Sequence, residues 1–345
     1  MSLLTYWLQY LLVFITSLGL AALLTPLASR LGRRFGIVDQ PGGRRAHRGE
    51  VPRLGGVPLF LAFVAAVGVG QALSIPTADA KEPVRLLGLL VGSAFLFIVG
   101  LLDDRWELRP LPQFAAQFVA AIIAILTHIQ LERFNNPLTN AEVVLPVIAY
   151  VPLTVFWVTG MITTVNWLDG LDGLSAGVGA ILCGVLAIHM HSVGQPSVAI
   201  LPLALLGALL GFLPYNFAPA QVFLGSAGAF FLGYALSALG LIAGGRVATV
   251  LLVIGLPIVD VAWQIFDRLR HRRSPTQGDR GHLHFRLLDL GISQRVIVLL
   301  YWGFCALFGV LTLTISSRLY KLIALVGISV VVIAALAWLS RRRDE

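Results

Sequence analysis

The stretch "NWLDGLDGLSAG", from Asn166 to Gly177, sets Asp169 and Asp172 three residues apart directly after an apolar run ending at Val165. Carboxylates beside a bilayer are costly and mark a site by default. On a helix, residues at i and i+3 share a face, and Gly170 and Gly173 would let a ligand approach the backbone. Capping of the next helix, with first-turn acids favoured by its dipole, explains one of the two acids more easily than both plus Asn166. A second acidic pair, Asp103 and Asp104, ends an earlier apolar run. Adjacent carboxylates repel each other and a divalent cation relieves the repulsion; a solvated helix end beside Arg105 is the plain alternative. In "GDRGHLHF", His282 and His284 stand at i and i+2, which suits neither one helix face nor the HExxH zinc arrangement. A solvated histidine pair is the bland reading, but the flanking arginines suit a polyanion. Topology signal is the plain alternative for "RRAHRGEVPRLGG" and is accepted for Arg30, Arg33 and Arg34 just upstream, with Pro52, Gly55 and Gly56 suggesting a shaped loop.

These residues must be held by membrane-spanning elements. Of the 345 residues, 57% are hydrophobic and only 12% charged, with mean hydropathy +0.86. Soluble domains carry about 25% charge. Apolar runs at about 4–28, 54–74, 84–102, 112–128, 146–165, 173–190, 198–214, 222–243, 247–267, 295–315 and 319–340 predict an all-α polytopic membrane protein of about eleven transmembrane helices. The first run is too long for a secretory h-region and reads as a retained helix. The chain reads as one integral-membrane domain over 1–345. Nineteen of the 25 Lys and Arg residues fall in alternate loops and the tail, so the positive-inside rule predicts an external N-terminus and a cytoplasmic C-terminus. The net charge of +8 therefore reports topology rather than nucleic-acid binding. Trp7, Trp338 and Tyr320 read as interface anchors. Cys183 and Cys305 lie in apolar runs and read as small buried hydrophobes.

Five clusters of acids, histidines and asparagines fall on the same face as most of the arginines, which predicts an active site open to the cytoplasm; on the other face one loop, Ile129 to Leu145, is longer. The loops on the other face, such as "SIPTADAKEP" and "MHSVGQPS", are bland. A transporter would place its polar groups near the midplane on broken helices.

Taken in order, "VDQPGGRRAHRGEVPRLGG", "LLDDRWELRP", "NWLDGLDGL", "PYNFAPAQ" and "RSPTQGDRGHLHFRLLDLG" resemble the polyprenyl-phosphate N-acetylhexosamine-1-phosphate transferase superfamily. The spacing from Arg44, Arg45 and His47 to Gly55–Gly56 and the His-x-His form resemble its UDP-GlcNAc branch. The phospho-N-acetylmuramoyl-pentapeptide transferase branch, usually with consecutive histidines, is the alternative. The resemblance implies a plasma-membrane or inner-membrane enzyme, multi-pass and capable of homodimerisation, that starts lipid-linked cell-envelope glycans. It would transfer a sugar-1-phosphate, above all GlcNAc-1-phosphate, from a UDP-sugar to undecaprenyl or decaprenyl phosphate, releasing UMP. It also implies Mg²⁺, with Mn²⁺ as the substitute. By position it gives catalytic roles to Asp103, Asp104, Asp169, Asp172, His282 and His284. Metal binding falls to Asn166, Asp103, Asp104 and Asp169, and substrate binding to Arg44, Arg45, His47, Asn216, Phe223 and Arg280.

Three positions depart from the superfamily pattern. Ser226 in "FLGSAGAFF" stands where an aspartate metal ligand is common, Phe285 where a further histidine is, and Gln113 where a lysine is. A hydroxyl is a far poorer Mg²⁺ ligand than a carboxylate. Two readings follow: an active subgroup holding its metal with the remaining acids, or a homologue of lost or altered activity that keeps the nucleotide- or lipid-binding surface. Retention of Asp103, Asp104, Asn166, Asp169 and Asp172 favours the active enzyme.

Overall fold

A computed structural model describes residues 3–40, 49–73, 75–77, 79–244, 247–272 and 281–344. The candidate substrate residues Arg44, Arg45, His47 and Arg280 lie outside the described residues. Each apolar run folds as helix: α1 (Leu3–Arg34), α2 (Gly56–Ala72), α3 (Glu82–Trp106), α4 (Pro110–Leu126), α5 (Val147–Leu168), α6 (Leu174–Ser192), α7 (Pro196–Asn216), α8 (Gly225–Ile242), then α9 (Val247–Val253) with α10 (Gly255–Arg270). The short α11 (Leu283–Asp289) precedes α12 (Gln294–Thr314) and α13 (Arg318–Asp344). Two hairpins join them, β1 (Val38–Asp39) with β2 (Val51–Pro52) and β3 (Arg133–Asn135) with β4 (Glu142–Val144), both antiparallel. Among the described residues, eight helices are long and apolar enough to cross a membrane, and the α9–α10 pair would make a ninth. The protein is an all-α polytopic membrane protein.

The run expected as one ninth span is broken. α9 and α10 meet at 83°. Gly255 and Pro257 follow the break, and a proline has no N–H to continue the ladder across it. α2 and α4 have 17 residues each, about 26 Å at 1.5 Å per residue. Both nevertheless run between the two ends of the bundle. α2 starts beside α8 and ends with Leu73 O accepting from Gln9, near the start of α1. α4 starts with Gln113 on Asp103 and ends with Thr127 against Gly88, near the start of α3.

α8 is the enclosed centre of the bundle, whereas α13 is largely exposed. Lipid tails are as apolar as leucine, so close backbone approach drives helix association in a membrane. Gly100 of α3 illustrates this: a Cβ there would lie 2.3 Å from the Cα of Ala227. Inside this contact Tyr234 donates to Gly88 O at 2.9 Å and Trp157 to Ser237 O at 3.1 Å. The large apolar residues left exposed, Leu111, Ile148 and Phe156 among them, face outward as a lipid-contacting surface requires. Cys183 and Cys305 are buried and free, as read from their apolar surroundings.

Candidate active site

Asp103 and Asp104 close α3, where a helix dipole disfavours negative charge, so capping is not what they do for α3 itself. Asp103 Oδ1 instead accepts from the backbone of Leu108 and from Gln113 Nε2, both at 2.9 Å. It thereby folds the turn that begins at Glu107, whose φ is 47°. Gln113, one of the three departures, also donates to Leu108 O at 3.0 Å; an uncharged donor fills this role. Asp104 reaches across to the first turn of α8. Its Oδ1 accepts from Ser226 N at 2.8 Å and its Oδ2 from Ala227 N at 3.0 Å, an anion at a positive helix end. The Ser226 position therefore sits directly on Asp104.

The α5–α6 connection refutes the capping explanation of its acids. Gly173 is the N-cap of α6 and no side chain caps that helix. Asp169 ends α5, and its Oδ1 accepts from the Ser175 hydroxyl. Asp172 Oδ2 accepts from Ala220 N at 2.9 Å. The two acids occupy a tight turn rather than one helix face. Asn166, in the last turn of α5, has no side-chain hydrogen bond to another described residue. Asp169 is half-buried. Burial pushes its carboxyl up, to about 8; the Ser175 hydroxyl opposes the rise, and the charges of Asp104 and Asp172 add to it. Three carboxylates, one from the end of α3 and two from the α5–α6 turn, thus share one electrostatic neighbourhood.

Asn216, 2% exposed, holds the next loop in place. Its Oδ1 accepts from Gly173 N at 3.1 Å and its Nδ2 donates to Val222 O at 3.0 Å. Both ends of its amide are committed to backbone, so it positions two loops. Asn216→Ala leaves two buried backbone groups unpaired, at about 1–3 kcal/mol each. A melting temperature several degrees below wild type is expected; an unchanged one would contradict this role. Phe223 presents a partly exposed ring, while its backbone pairs with the β2 segment, donating to Pro52 O at 2.8 Å and accepting from Gly55 N at 3.0 Å. Arg295 at the start of α12 donates to Ala218 O at 2.8 Å and secures the same loop from the other side.

His282 precedes α11 and His284 lies in its first turn. Because His282 is outside the helix, the two rings stack, with centroids 5.5 Å apart and planes 6° apart, although i and i+2 do not share a helix face. Trp167 meets His282 edge-on at 5.3 Å. A Cβ at Gly170 would lie 2.8 Å from His284 Nε2 and 2.7 Å from the Phe285 ring, so the histidine block sits directly against the aspartate turn. Phe285, another departure, packs on His284 at 4.3 Å.

Sequence reasoning missed two contributors. Asp260, 3% exposed in α10, accepts from His282 Nδ1 at 2.9 Å. A carboxylate inside an apolar run was its available signal. Arg53, counted only as topology, ties the β1–β2 hairpin to α3 by pairing with Asp39 and, at 3.4 Å, with Glu107. No spacing rule links Asp39 to Arg53.

The loops predicted to share the basic face are therefore contiguous at one end of the bundle. Among the described residues no three His, Cys, Asp or Glu side chains gather as a metal-binding group. Mg²⁺, however, takes hard oxygen ligands and is commonly held by one or two carboxylates plus substrate phosphates and water. Asp169, with Asn166 beside it and the charges of Asp104 and Asp172 acting on it, fits that kind of site.

Fold and site together define a polytopic helical membrane protein with an acid-and-histidine centre at one end. Residues 86–244 match the family described as glycosyl transferase family 4. The chain is 33% identical to the "Probable undecaprenyl-phosphate N-acetylglucosaminyl 1-phosphate transferase" of Bacillus subtilis, covering 88% of this chain and 84% of that protein. It is 32% identical to the decaprenyl-phosphate N-acetylglucosaminephosphotransferase of Mycobacterium tuberculosis, over 94% and 89% of the two chains. Identity to the undecaprenyl-phosphate alpha-N-acetylglucosaminyl 1-phosphate transferase of Escherichia coli K12 is 27%, over 82% and 78%. The chain belongs to glycosyl transferase family 4, in the polyprenyl-phosphate N-acetylglucosamine-1-phosphate transferase branch.

Proposed function

We propose that this protein transfers N-acetylglucosamine-1-phosphate from UDP-GlcNAc to a polyprenyl phosphate, undecaprenyl or decaprenyl, and releases UMP. The observation that carries the reading is the likeness along nearly the whole chain to enzymes named for that transfer, with 94% of the chain covered in the mycobacterial relative. The convergence of the five sequence blocks at one end of the bundle supports it. A lipid-linked acceptor calls for a membrane enzyme, and a water-soluble nucleotide sugar calls for a site at the membrane surface. We place that site on the cytoplasmic face of the cell membrane, with eleven spans and an external N-terminus, because the described arginines Arg53, Arg286 and Arg295 lie at the same end as the acids.

In the reaction an oxygen of the lipid phosphate forms a bond to the sugar-linked phosphorus, the bond from that phosphorus to the bridging oxygen breaks, and UMP leaves with the electron pair. Asp169 and Asn166 are the candidates to hold Mg²⁺, since Asp169 Oδ2 and the Asn166 amide are not taken up by described side-chain hydrogen bonds. The ion would offset charge on the diphosphate. Asp104 keeps the first turn of α8 beside that place and Asp103 keeps the α3–α4 turn shaped. His282 offers its Nε2 to phosphate oxygens, His284 backs it within the ring stack, and the half-buried Phe223 is the candidate beside uracil.

Mass analysis of lipid products from a panel of UDP-sugars with undecaprenyl phosphate and Mg²⁺ tests the donor assignment. A polyprenyl diphospho-GlcNAc product is expected from UDP-GlcNAc. Product from UDP-GalNAc alone would reassign the sugar, and no product from any donor would overturn the enzyme reading.

A further inference from the structure

Asp260 is a carboxylate in a run of apolar residues, in the half-helix α10 that follows the 83° break. Both its oxygens are engaged by one short segment. Oδ2 accepts from His282 Nδ1 at 2.9 Å, and Oδ1 accepts from the backbone of Leu283 at 2.9 Å. The second bond anchors the first turn of α11, so the carboxylate fixes both the backbone that carries His282 and the ring itself. An ionised carboxylate can only accept. The bond at Nδ1 therefore requires the proton there, which leaves Nε2, on the far edge of the ring, as the nitrogen presented to a ligand. Nε2 bonds no described residue and is not among the enclosed polar atoms that lack partners. Trp167, packed edge-on at 5.3 Å, and His284, stacked at 5.5 Å, restrain the ring's remaining rotation.

We infer that Asp260 is a positioning residue that sets the tautomer and aim of His282, so that Nε2 faces the phosphate groups of the two substrates. The functional half of this inference rests on the transfer reaction proposed above; the tautomer half does not. Carboxylates that orient a metal-ligating histidine from behind govern about 10–100-fold in affinity or activity, and a loss of the same order is expected for this phosphate-facing ring.

Two measurements on the full-length protein test it. The first is the side-chain ¹⁵N spectrum of histidine-labelled protein in detergent at a pH where the ring is neutral, with the His282 signal assigned by its loss in His282→Gln. Wild type should show a protonated Nδ1 and an unprotonated Nε2, and Asp260→Asn should move the proton to Nε2 or mix the tautomers. A wild-type His282 with its proton on Nε2 overturns the proposal without any variant needing to fold. The second is a double-mutant cycle on UMP release. Asp260→Asn should lower kcat about 10–100-fold with KM for the UDP-sugar within about two-fold. In a His282→Gln background the same change should cost less than about two-fold, because the residue acts through His282. A further tenfold loss in that background shows a purely structural role and overturns the functional half. If wild type turns over no UDP-sugar, the transfer reading is what fails, and the ¹⁵N spectrum still decides the Asp260–His282 pairing.

Discussion

Asp169→Asn should lower turnover by about 10²–10³-fold, the range seen when one electrostatic partner of a reacting centre is removed, and should weaken the Mg²⁺ dependence with it. Asp169 ends α5 with one carboxylate oxygen on Ser175, in the electrostatic range of Asp104 and Asp172. Asparagine keeps the shape and the Ser175 contact but loses the charge a cation would answer. A Mg²⁺ titration with an unchanged midpoint would contradict the role. The same substitution carries an opposite expectation for stability. The Asp169 carboxyl is raised from 3.8 to about 8, first by burial. A folded-state value above the unfolded one means that the folded protein binds this proton more tightly. Stability without Mg²⁺ should therefore fall as pH climbs from about 4 to about 8 and stay low above that. Asp169→Asn removes this dependence, so at pH 8.5 without metal it should melt at or above wild type while being nearly inactive. A variant that melts lower at that pH would show that Asp169 contributes to the fold rather than straining it.

Gly225→Ala is expected to damage the site from the other side. Gly225 has φ +73°, a backbone region that costs an L-residue roughly 1 kcal/mol or more. Its Cβ would lie 2.2 Å from the carbonyl oxygen of Arg53 and 2.8 Å from Asp104 Oδ2. The first obstacle is backbone, which cannot swing aside as a side chain can. The start of α8 must then move, and Ser226 N and Ala227 N leave the Asp104 carboxylate that they now hold at 2.8 and 3.0 Å. Loss of those two buried, charge-assisted bonds costs about 1.5–3 kcal/mol each. A melting temperature lower by several degrees and at least a tenfold loss of UMP release are expected. Wild-type activity in Gly225→Ala would mean that Asp104 needs no fixed partner at the first turn of α8.

Much of this arrangement was legible because the chain crosses a membrane. Apolar runs bound the helices, and charge sorted the loops onto two faces before any contact was known. That is why Asp103, Asp104, Asn166, Asp169, Asp172, His282 and His284 could be assembled into one site from types and order alone. What could not be read was the third dimension of each loop. Asp169 and Asp172 suggested one helix face, yet Gly173 starts α6 and leaves both in a turn. His282 and His284 at i and i+2 suited no single helix face, but placing one before the helix and one within it stacks the rings. Asn216 suggested a ligand contact, and its amide is consumed by backbone on both sides. Gln113 looked like the loss of a cation and turns out to satisfy Asp103. Asp260 was hidden because its partner lies 22 residues away across a connection no periodicity describes.

The central claim is tested most directly by measuring UMP released from UDP-GlcNAc by the purified protein in detergent, with undecaprenyl phosphate and Mg²⁺ each supplied or withheld. The account predicts UMP and lipid-linked GlcNAc-1-phosphate in equal amounts only when both are present. UMP release that ignores the lipid, or none under any condition while the protein remains folded, would contradict it.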